Sequence, residues 1–152
     1  MDSETAQWKS GPRTREHSGN REGAEMFENS DAFSGMSSGD IAASRSFYEG
    51  VLGLTVEEGM GGLISVQLPK GGAVLIYPKE DHQPATFTIL NFPVEDIDAV
   101  VDELAAKGVT MERYEGMGQD EKGIMRGKAA DRGPDIAWFK DPAGNILSVL
   151  SS

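Results

Sequence analysis

Beyond residue 30 the chain switches between two hydrophobic rhythms, one of period two and one close to period four. Segment 32–37 reads as a short strand. Asp40 stands where a helix cap belongs, ahead of Ile41, Ser44, Phe47, Tyr48 and Val51 at helical spacing, and Gly53 supplies the stop. Strands are predicted over 54–57, 63–68 and 73–78, separated by glycine-rich turns. The pattern then restarts with a strand over 86–94. Asp96 precedes Ile97, Val100, Val101 and Leu104, again helical in period, and Gly108 ends that helix. Strands over 109–114, 135–140 and 146–151 complete the chain.

This is strand, helix and three strands written twice, in modules of about 31–78 and 86–151. Asp40-Ile41-Ala42-Ala43 and Asp96-Ile97-Asp98-Ala99 open the two helices 56 residues apart. Leu52-Gly53-Leu54-Thr55-Val56 and Lys107-Gly108-Val109-Thr110-Met111 leave them alike. Two copies are too few for a solenoid or a propeller, so the pattern predicts one α+β domain. The second copy shows three clear strands, and the long stretch 115–134 is the candidate for its fourth.

Composition changes the picture at the N-terminus. Residues 1–28 are rich in Ser, Gly, Glu and Arg, with Trp8 the one large apolar residue between Met1 and Met26. Such a segment buries too little to offset the entropy of ordering, and a disordered tail is expected there, with the folded domain over 29–152. The chain carries a net charge of −11. Residues 1–30 hold six acids and four bases, so residues 31–152 keep −9 of it. That surface repels nucleic acid and anionic membranes, and no Lys/Arg run offsets it. With no cysteine, thiolate metal sites, iron–sulfur clusters and thiol catalysis are excluded. Neither a signal-peptide core nor a membrane-length apolar run is visible, and a cytoplasmic protein is expected.

Three stretches carry a family likeness. They are Ser44-Arg45-Ser46-Phe47-Tyr48 with Val51-Leu52-Gly53-Leu54; Asn91-Phe92-Pro93-Val94-Glu95-Asp96-Ile97-Asp98; and Phe139-Lys140-Asp141-Pro142-Ala143-Gly144-Asn145-Ile146. In this order within the duplicated pattern, the chain resembles the vicinal-oxygen-chelate superfamily of glyoxalases, bleomycin-resistance proteins and extradiol dioxygenases. The resemblance implies two βαβββ modules forming one curled mixed sheet, with a concave cup for small molecules and helices on the convex face. It also implies a divalent metal held by His and Glu from the strands, and a homodimer.

The metal positions implied by the resemblance are not filled by metal ligands. They fall at Phe33, at or near Ile76, at Ile89 (or Thr88 with a one-residue shift), and at Ser148. The segments 63–68, 73–78, 86–94 and 146–151 contain no His, Asp or Glu. Divalent ions need several such donors at one point, so metal-dependent glyoxalase or dioxygenase chemistry is disfavoured and no cofactor is expected. The two histidines are His17, in the tail, and His82, read as a solvated residue between modules.

What remains is a mainly apolar cup with a few polar groups, lined by Phe33, Ile76, Ile89, Asn91, Trp138 and Ser148, with Tyr77 and Tyr114 as further candidates. No nucleophile–base pair is visible in the sequence. Asp120, Glu121 and Lys122 read as a charge cluster able to act as acid–base groups only if their loop covers the cup. The glycines 116, 118, 123 and 127 lack the context of a phosphate loop. The leading expectation is a metal-independent small-molecule-binding protein. An enzyme using acid–base groups or an unconventional metal site stands second, and a protein–protein association domain third. Segment 115–134, with Ile124 and Met125 between charged flanks, is expected to form a mobile cover.

Overall fold

A computed structural model describes residues 26–151; the expected tail lies largely outside these, at 1–25 and so beyond description. The first module contains β1 (Ser34–Ser38), α1 (Ile41–Ser46, widening into a π-turn over Phe47–Val51), β2 (Val56–Glu58), β3 (Ile64–Leu68) and β4 (Gly72–Pro78). The second contains β5 (Thr88–Pro93), α2 (Ile97–Ala106), β6 (Met125–Arg126), β7 (Asp135–Lys140) and β8 (Ile146–Ser151). Each module forms a four-stranded mixed sheet, ordered β1-β4-β3-β2 and β5-β8-β7-β6. β1 runs parallel to β4, and β5 parallel to β8. The βαβββ repeat is as the pattern predicts, but the one curled sheet is instead two sheets joined by packing.

Both helices begin as their sequences dictate. Asp40 Oδ1 accepts from the amide of Ala43 at 3.0 Å, and Asp96 Oδ1 from that of Ala99 at 3.1 Å. Their exits depend on glycine. Gly53 and Gly108 have φ of 70° and 87°, in the left-handed region that other residues avoid. At Gly108 the amide of Val109 donates to Leu104 O at 2.9 Å and that of Gly108 to Ala105 O at 3.0 Å, a Schellman closure.

One core serves both modules. Phe47 and Tyr48 from α1 pack with Val56, Ile64, Val66 and Ile76 of the first sheet and with Ala137, Phe139, Leu147 and Val149 of the second. α2 adds Ile97, Val101 and Leu104. Since side chains alternate along a strand, these residues mark the helical face of each sheet, and their neighbours mark the open face.

Two further differences from the pattern have local causes. Segment 109–114, expected as a strand, is irregular. The Gln119 amide accepts from Tyr114 N and donates to Glu112 O and Gly123 O, occupying backbone groups that a ladder would use. Segment 115–134 is tied down rather than free: it supplies β6, and Ile124 is fully buried in the core. Arg126 grips Asp98 on α2 through both oxygens (2.7 and 2.9 Å) and Asp120 at 2.9 Å. Among the described residues no helix is long and apolar enough to cross a membrane.

Candidate functional site

The open face of the second sheet gathers three of the expected residues. Register places Asn91 beside Ser148 and Ser148 beside Trp138, across β5, β8 and β7. Ser148 Oγ donates to Asn91 Oδ1 at 2.5 Å, which leaves the Asn91 amide hydrogens directed elsewhere. Trp138 is 7% exposed and Ser148 fully buried. Tyr114 packs edge-on against Trp138, with ring centroids 5.5 Å apart. Its hydroxyl is buried and has no hydrogen-bond partner among the described residues. Burial, reinforced by the charge of Glu112, pushes the Tyr114 phenol above its ordinary range, so it stays protonated and able to donate. A buried donor without a partner is uncommon in a folded protein and fits a place where something else binds.

Ile89 and Tyr77 lie elsewhere, in a groove of about 420 Å³ where β1 and β4 meet the connection between modules. Gly35, Ser37, His82 and Phe87 share its lining. β5 runs from this groove, at Thr88 and Ile89, to Asn91. Phe33 precedes β1 and is 44% exposed. Ile76 is fully buried and faces the core with its register partners Met36 and Ile64. The open-face position of β4 belongs to Tyr77, because a shift of one residue moves every side chain to the opposite face.

His82 is not a solvated loop residue. Its Nδ1 lies 2.6 Å from Ser37 Oγ, and its Nε2 lies 2.8 Å from Ala143 O, bridging the modules. A second bridge centres on Asp141, which is buried. Its carboxylate accepts from Tyr48 Oη (2.7 Å), Ala143 N (2.9 Å), Asn145 N (2.9 Å) and Asn145 Nδ2 (3.0 Å). Burial, then the Asp141 charge, pushes the Tyr48 phenol well above its ordinary value. The sequence marks Asp141 only as a turn residue; the apolar Phe139 before it and Ile146 after it are the signal that the turn would be drawn into the core.

The charged loop residues have structural partners. Asp120 accepts from the amides of Lys122 and Ile124, and Lys122 pairs with Asp102 and Asp98. Arg126 and Lys122 hold the Asp98 carboxyl down at about 2. These groups stand with α2, on the side opposite the open face.

The donors at the expected metal positions are a phenyl ring, an alkyl chain or phenol, a second alkyl chain and one hydroxyl. They do not suit a divalent ion. Among the described residues no three His, Asp or Glu side chains converge into a possible metal site.

Paired βαβββ modules with an open face free of helices define a class of α+β proteins. Residues 34–149 match the family model of the Glyoxalase/Bleomycin resistance protein/Dioxygenase superfamily, and the chain belongs to that family. Solved structures agree on the fold. The fosfomycin resistance protein FosX of Listeria monocytogenes is 13% identical with a TM-score of 0.58, over 80% of this chain and 91% of that one. A lactoylglutathione lyase of Agrobacterium tumefaciens is 17% identical with a TM-score of 0.54, over 78% and 90%. An antibiotic-binding protein of a Streptomyces species is 19% identical with a TM-score of 0.53, over 79% and 94%. No curated protein sequence matches the chain.

Proposed function

We propose that this protein binds a small molecule without a metal, on the open face formed by Asn91, Ser148, Trp138 and Tyr114 and extending along β5 to Ile89. The observation that carries the reading is the leftover hydrogen-bonding capacity there. The Tyr114 hydroxyl lacks a partner, and the Asn91 amide is turned away from its one bond to Ser148. Aromatic walls with a few orienting polar groups are how small-molecule sites are built. The similar Streptomyces structure is described as an antibiotic-binding protein, which supports the same class of role. A ligand of this site carries an aromatic or apolar body and hydrogen-bond acceptors to meet the two donors.

A thermal-shift screen of aromatic and heterocyclic compounds in EDTA tests this, since a ligand specific for the folded state raises Tm by mass action. Hits should lose their effect in Asn91→Leu. A screen without hits, or hits indifferent to Asn91 and Tyr114, would count against the reading.

The exposed Phe33, Tyr77 and Phe87, together with the outer edges of β1 and β5, support pairing of two copies as a homodimer. Sedimentation should show a dimer at micromolar concentration; a monomer throughout would contradict it.

A further inference from the structure

The groove between the modules holds a pair of side chains that ligand binding does not require. Ser37 lies on the open face of β1, in register with Tyr77, and lines the groove. His82 Nε2 faces a carbonyl oxygen, which only accepts, so that nitrogen carries the hydrogen. In the neutral ring Nδ1 then has the lone pair, and it accepts from the Ser37 hydroxyl at 2.6 Å. A hydroxyl bonded to an imidazole whose other nitrogen is fixed is the arrangement that activates serine.

The supports of this pair are themselves held. Ala143, whose carbonyl orients the ring, donates its amide to Asp141 Oδ1 at 2.9 Å. Asn145 Nδ2 donates to the carbonyl of Ser37 at 3.2 Å, fixing the backbone beneath the hydroxyl. The volume in front of Ser37 is bounded by Gly35, which has no side chain to block it, and by Tyr77, Phe87 and Ile89.

We infer that Ser37 and His82 form a metal-independent acyl-transfer centre acting on small carboxylic esters with an apolar or aromatic acyl group. Ser37 Oγ attacks the ester carbonyl carbon while its proton passes to His82 Nδ1. The carbon–oxygen bond to the alcohol then breaks, and His82 returns the proton to the departing oxygen. Water attacks the acyl-serine, giving its proton to His82, and releases the carboxylic acid as Ser37 recovers its hydrogen. Throughout, Nε2–H stays on Ala143 O. A carbonyl steadies the imidazolium less than a carboxylate does, so aryl esters with good leaving groups are favoured over amides.

The full chain in EDTA is treated with a fluorophosphonate, and separately with 4-nitrophenyl butyrate. Mass spectrometry should find one adduct, on Ser37. Nitrophenolate release should fall at least about 100-fold in Ser37→Ala and in His82→Gln, both with melting curves near the parent's. His82→Gln keeps an amide donor for Ala143 O, so a merely structural clasp would survive in it and lose no turnover. Absence of an adduct, an adduct on another residue, or unchanged ester hydrolysis in Ser37→Ala would overturn the inference. The inference meets the binding reading only at Ile89 and fails separately. Reversible ligands that raise Tm without a Ser37 adduct defeat this one alone, whereas a Ser37 adduct in a protein with no reversible ligand sustains this one and counts against the other.

Discussion

On the helical side of the sheets, buried polar groups are matched. Asp141 accepts from Tyr48, Ala143 and Asn145, and Ser44 Oγ donates to Ser38 Oγ at 2.7 Å. On the open side, Tyr114 keeps a buried hydroxyl with no partner, and Asn91 is exposed with one bond, to Ser148. The same chain therefore closes its hydrogen bonds where α1 and α2 pack, and on the other side leaves the Tyr114 hydroxyl and the Asn91 amide open. Matched groups hold the modules together; unmatched donors cost stability unless a ligand completes them.

The contrast can be broken most forcefully at Asp141. Asp141→Ala strands four donors in the core and should cost about 3 kcal/mol in urea unfolding, with Tyr48→Phe costing less. A loss well under 1 kcal/mol would mean that the hub does not join the modules. On the open face the effect should appear in binding rather than stability. Asn91→Leu should weaken a screened ligand at least about tenfold, or 1.4 kcal/mol, while the Ser148 hydroxyl it strands lowers Tm only modestly. Tyr114→Phe removes an unmatched hydroxyl, so stability should stay within about 0.5 kcal/mol or rise, while ligand affinity falls. A marked destabilisation would show that the hydroxyl is satisfied after all.

Acid should separate the two sides by a smaller margin. Asp98 is depressed to about 2 from 3.8, so its contribution is complete above pH 3.8 and is lost as pH falls through about 2. The Arg126 tether of segment 115–134 should loosen in that window, before the neutral open face responds. Amide exchange of 120–127 that is equally slow at pH 2 and pH 5, once corrected for intrinsic rates, would contradict this.

The features legible in the sequence were those set by near neighbours. The Asp40 and Asp96 caps and the Gly53 and Gly108 exits act within one turn of their helices, so their spacing was enough to read them. That Trp138 and Ser148 share a face was legible because the turn around Asp141 fixes the register of β7 and β8, and Asn91 joins them through the pairing of β5 with β8. Ile76 was not, because its position depends on which face of β4 the core claims, and a one-residue slip gives Tyr77 instead. The strand expected at 109–114 failed because a side chain, Gln119, claimed its backbone groups. Ser37 and His82 are 45 residues apart and meet only through the module junction, so no local pattern could announce them. His82 read as solvated because its neighbours Asp81 and Gln83 are polar, and its partners come from other elements.

Metal-independent binding is tested most directly by calorimetric titration of the best ligand from the screen, first in EDTA and then after adding zinc or manganese. The Kd should agree within about twofold between the two, and should rise in both when Asn91 is replaced by Leu. Binding that is absent in EDTA and restored by the divalent ion would contradict the account.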